Sequence, residues 1–94
     1  HTVRAMAARS LGELGDPRCV RVLELSLRDQ NWWVRANAGD ALRGMGAEGI
    51  AALRRALDGD DRFAREHAAE SLAMHEAGRD AHDDEHAARV PVAA

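Results

Sequence analysis

The chain has 94 residues and a mass of 10.2 kDa, room for one domain of ordinary size and not for two. Hydrophobic residues make up 46% and charged residues 31%, too apolar for a disordered chain, and no apolar run approaches the roughly 18 residues of a membrane span. The net charge of −3 is confined to the end, since residues 1–72 carry 11 Arg against 11 acidic residues and residues 73–94 carry 2 against 5. A neutral body lacks the basic footprint of a nucleic-acid binder.

Twenty Ala and only three aromatic residues (Trp32, Trp33, Phe63) point to helices around a thin, closely packed core. The first predicted helix spans about 2–14 and contains Val3-Arg4-Ala5-Met6-Ala7-Ala8-Arg9-Ser10-Leu11. Gly15-Asp16-Pro17 breaks it, and Asp before Pro is a good start for the second helix, 17–28, whose apolar stripe is Val20, Leu23 and Leu27. The third helix, 32–45, repeats the first motif 31 residues later as Val34-Arg35-Ala36-Asn37-Ala38-Gly39-Asp40-Ala41-Leu42. Its stripe of Val34, Ala38, Ala41, Leu42 and Met45 has helical spacing. After a shorter, less well capped turn at Gly46-Ala47-Glu48-Gly49, the fourth helix, 48–58, repeats the second stripe as Ile50, Leu53 and Leu57. The fifth, 61–75, carries the first motif again as Ala64-Arg65-Glu66-His67-Ala68-Ala69-Glu70-Ser71-Leu72. Asp29 and Asp60 or Asp61 are available as N-caps for the third and fifth helices.

A fixed period of about 30 residues is the mark of a stacked array, in which each unit covers the apolar face of its neighbour. The predicted fold is all-α: a right-handed α-solenoid of antiparallel helix pairs, five helices in about two and a half units (about 2–31, 32–60 and a partial 61–75). Helix A of each unit carries the Arg4/Arg35/Arg65 motif and helix B the apolar triplet. Beyond residue 75 the pattern stops. Residues 76–94 form a polar, acidic tail, expected to be frayed or disordered, with a polar cap over the last unit as the alternative; Pro91 argues against a helix reaching the end.

Gly15-Asp16-Pro17-Arg18-Cys19-Val20, the Leu23/Leu27 pair, Asp29-Gln30-Asn31-Trp32-Trp33-Val34-Arg35 and Ala38 through Leu42 together resemble the HEAT repeats. Among these, the short bacterial HEAT-like type also found in phycobilin lyases is most similar. The resemblance covers about residues 2–75. It implies a polar ladder between an inter-repeat Asp and the helix A Arg, here Asp29 and Arg35. Gly59 stands where Asp29 did, so Asp60 or Asp61 would have to substitute in the next rung. It also implies a concave side lined by the B helices.

On that side Arg18, Arg21, Arg28, Arg54 and Arg55 stand against Glu24, Glu48 and Asp58, either a solvated helix face with local ion pairs or a mildly basic groove suited to an acidic peptide, a phosphate group or nucleic acid. Neighbouring Trp residues lie about 100° apart around a helix, so they face different ways. Trp33, repeated as Phe63, is expected in the inter-repeat core and Trp32 at an exposed contact, the kind of anchor that dominates interfaces. His67 reads as surface and Cys19 as a small buried hydrophobe. His82 and His86, four apart, have a spacing that admits adventitious Zn or Ni, but the segment reads as solvated and no metal site is expected.

No Gly-rich phosphate loop, activated nucleophile or closed metal motif is present, so neither catalysis nor a cofactor is expected. The expected function is a non-catalytic protein–protein interaction scaffold in the cytoplasm, the C-terminal segment of a longer HEAT-like protein. Its partner is a protein, bound through the helix B face and Trp32. Apolar surface on the N-terminal helix would seek an upstream repeat or a second copy. The alternatives are part of a HEAT-like enzyme, bilin lyase-like or DNA glycosylase-like, or a weak nucleic-acid-binding module.

Overall fold

A computed structural model describes residues 2–89, with side chains to residue 78. It contains α1 (Thr2–Leu14), a 3-10 turn (Pro17–Cys19) leading into α2 (Val20–Ser26), α3 (Trp32–Arg43), α4 (Gly46–Leu57) and α5 (Arg62–Arg89). The described residues are all-α, as the repeat predicts. The A helices α1, α3 and α5 pack side by side in one layer, and the B helices α2 and α4 form the second.

Local chemistry sets the boundaries. Asp16 caps the 3-10 turn by accepting from the Arg18 amide at 2.9 Å, with Pro17 next to it, so the second predicted helix opens as a tighter turn before becoming α-helical at Val20. Both A-to-B turns place a glycine in the left-handed region, Gly15 at φ 65° and Gly46 at φ 71°, which other residues enter at a cost. The cap of α3 is Asn31 rather than Asp29: its Oδ1 accepts from the amides of Trp33 (2.9 Å) and Val34 (3.3 Å). Asp61 does cap α5, accepting from the Ala64 amide at 2.9 Å.

The core is thin, because six of the 13 buried apolar residues among those described are Ala (5, 8, 38, 52, 64, 68). The bulk comes from Leu23, Leu27, Val34, Leu42 and Leu53, each worth about 1.5–3 kcal/mol on burial. Small residues let the layers close. A Cβ added at Gly12 would run into Ala41, so α1 and α3 cross in near-contact there. Cys19, a free thiol, is partly buried against this core.

Three expectations fail here. Leu57 is 40% exposed while its counterpart Leu27 is fully buried, because among the described residues no further B helix packs over it. Trp33 lies beside Thr2 and Met6 of the neighbouring unit but is 63% exposed instead of buried in the core between repeats; the buried stripe of α3 begins one residue later, at Val34. Helix A of the third unit does not stop near residue 75 but continues as α5 to Arg89. Residues 76–89 hold four Ala, several other good helix formers, one Gly and no Pro, so nothing breaks the helix before Pro91. The side chains of His82 and His86 lie outside the described residues, and among those described no group of metal-ligating side chains forms.

Candidate functional site

The stacking of A helices places a line of arginines at the turns between units. Arg35 Nη1 donates to the carbonyls of Asp29 (2.8 Å) and Gln30 (2.9 Å), six and five residues upstream, and Arg65 Nη1 donates to the carbonyl of Gly59, again six upstream, at 3.2 Å. Arg35 and Arg65 thus each clamp the turn before their own helix through backbone. That is why Gly59 can replace Asp29 here, since only the carbonyl is needed.

The Asp29 carboxylate serves another residue than Arg35. It accepts from Arg4 of the same unit at 2.8 and 3.3 Å and from the Asn31 amide at 2.8 Å, which together hold it below the usual carboxylate range. Arg35 finds no such carboxylate at Gly59. Its Nε donates instead to Nδ1 of His67 at 3.1 Å, and its guanidinium lies 4.3 Å from the centre of the Phe63 ring. His67 is accordingly buried at 7% exposure rather than on the surface. A signal for this was present: positions 6, 37 and 67 fall three residues after the start of each stripe, which on a helix is the neighbouring core edge. Asn37 at the same place donates to the Ala5 carbonyl at 2.8 Å.

Two clefts of opposite charge result. The first, about 170 Å³, lies between α2, α4 and the start of α5. Arg21 and Leu25 of α2 line it together with Arg28 in the turn two residues past the helix end, so this edge presents two guanidinium groups with an exposed leucine between them. Arg55 stands across from them, tied to Glu24 at 2.8 Å, while Arg21 and Arg28 make no ion pair among the described residues. Of the six expected contact residues, this cleft gathers Arg21, Arg28 and Arg55. Arg18 lies outside it, folded back on Asp16 at 2.7 Å and holding that carboxyl low. Arg54 is exposed outside its lining.

The sixth residue, Trp32, belongs to the other cleft. This one, also about 170 Å³, lies in the A layer between α3 and α5 and is lined by Trp32, Ala36, Asp40, His67, Glu70, Ser71 and Met74. The two clefts share no lining residue. Trp32 meets Trp33 edge to face at 4.8 Å and His67 at 5.8 Å.

The paired helices, the 30-residue period and the clamping arginines agree with a family model for HEAT repeats that matches residues 1–73. The chain belongs to the HEAT repeat family. HEAT repeats generally mediate protein–protein interaction. Comparison with curated proteins finds no match. Among the described residues of this HEAT array, no helix is long and apolar enough to cross a membrane.

Proposed function

We propose that this HEAT array is a non-catalytic protein-binding module that receives an acidic segment of its partner along the cleft between α2 and α4. The observation that carries the reading is the Arg21, Leu25, Arg28 face. It combines two guanidinium groups that make no ion pair among the described residues and a half-exposed leucine. Such a surface matches a segment bearing carboxylates around an apolar anchor, with charge setting approach and register and the apolar contact supplying affinity. Trp32, lying in the other layer, is not part of this contact.

The test places a photo-crosslinking residue at position 25 of the whole protein and compares it with one at exposed Val3. Crosslinks to a partner from position 25, lost in Arg21→Glu/Arg28→Glu and weakened by salt, are the expected outcome. The assignment of this face fails if the charge-reversed protein retains every partner at wild-type strength.

A further inference from the structure

The cleft in the A layer differs from the groove in sign, in lining and in one unsatisfied group. Its charged lining consists of Asp40 and Glu70, with no arginine, in a chain that carries 13. Arg43 sits at one end, with Nη2 on Asp40 at 3.0 Å and Nη1 3.2 Å from the Met74 sulfur, so the Asp40 charge is already met. Glu70 makes no ion pair among the described residues. Beside it stands the half-exposed indole of Trp32, whose face attracts a cation.

The wall of the cleft adds a donor. Because Nδ1 of His67 accepts from Arg35, the ring proton of the neutral imidazole sits on Nε2, and Nε2 is buried without a hydrogen-bond partner among the described residues. An unmet buried donor is costly and calls for an acceptor. A free cation offers none. A peptide carrying an arginine offers both a guanidinium for the indole and Glu70 and a carbonyl for the imidazole.

We propose that this cleft binds an arginine side chain of a partner protein, the guanidinium stacked on Trp32 and paired with Glu70. A backbone carbonyl of the same segment would supply the acceptor that His67 Nε2 lacks among the described residues. Arginine suits the site better than lysine, since its planar, weakly hydrated group stacks on an indole while hydrogen-bonding in its own plane. The site is separate from the groove between α2 and α4 and binds the opposite charge.

The experiment is an NMR titration of the ¹⁵N-labelled whole chain, in which the Trp32 and Trp33 indole signals are read separately. The probes are acetyl-Gly-Arg-Gly-amide and its citrulline analogue at matched salt. The arginine peptide should give saturable shifts of the Trp32 indole and of the amides around Ala36, His67 and Glu70. The citrulline peptide should bind about tenfold more weakly, and Glu70→Gln, an exposed change that leaves the fold intact, should cost the arginine peptide about fivefold. Equal binding of the two peptides, unchanged binding in Glu70→Gln, or shifts confined to Trp33 and Met6 would each overturn the assignment.

Discussion

Arg35 is held by two carbonyls, one imidazole and one aromatic face, all on elements other than its own except for the turn it clamps. An arginine is always a donor, so His67 can accept from it only while uncharged. Burial, and next the Arg35 charge, push the His67 pKa below its usual value, opposed more weakly by Glu70, the Phe63 carbonyl and Glu66. The sign of the linkage follows. Above the ordinary histidine pKa neither the native nor the unfolded chain is protonated there, and the contact contributes in full. Below it the unfolded chain takes up the proton first, so stability falls as pH falls toward the lowered native value. Urea midpoints between pH 8 and pH 5 should drop more steeply for the wild-type protein than for His67→Gln, which keeps a polar side chain but does not titrate. Parallel curves for the two proteins would show that His67 does not carry the effect.

At the scale of elements, the contact of α1 with α3 is the most extensive in the array, and it depends on the missing side chain at Gly12. Alanine there raises helix propensity by about 1 kcal/mol but forces its Cβ into Ala41, and overpacking of this kind costs about 1–3 kcal/mol. We expect Gly12→Ala to lower thermal stability despite the better helix former, whereas a melting temperature raised by the substitution would mean that the two helices can part without loss. The helices themselves were legible from the spacing of Val20, Leu23 and Leu27, or of Val34, Ala38 and Leu42, because a stripe at 3.6 residues needs no knowledge of what covers it. The environments of Trp33, Leu57 and His67 were not. Each depends on what the neighbouring unit supplies: Thr2 and Met6 beside Trp33, no further B helix over Leu57 among the described residues, and Arg35 against His67.

At the scale of the molecule the array is open, with a long helix leaving it. Twenty-eight residues of α5 reach about 42 Å, and the principal extents are 56 × 27 × 21 Å. All core residues among those described lie at or before Leu72. A chain ended after Gly78 should therefore keep its melting temperature within about 3 °C, a shift worth less than about 1 kcal/mol. It should lose only the helical circular dichroism of the removed turns. A large drop would mean that the removed segment covers Leu57 after all.

The residues by themselves determined the period, the helix pairs, the family and the neutral body, because these follow from local spacing and composition. Only the tertiary structure decided which charges remain unspent. Arg18, Arg21 and Arg28 look alike along the chain, yet Arg18 is closed onto Asp16, while Arg21 and Arg28 face a cleft shared with α4. Trp32 follows the basic helix in sequence but stands in the opposite layer, beside an acidic cleft built from α3 and α5. Arg35 with His67 and Arg55 with Glu24 pair across about 30 residues, one unit away, and spacing within a single helix does not reveal such partners.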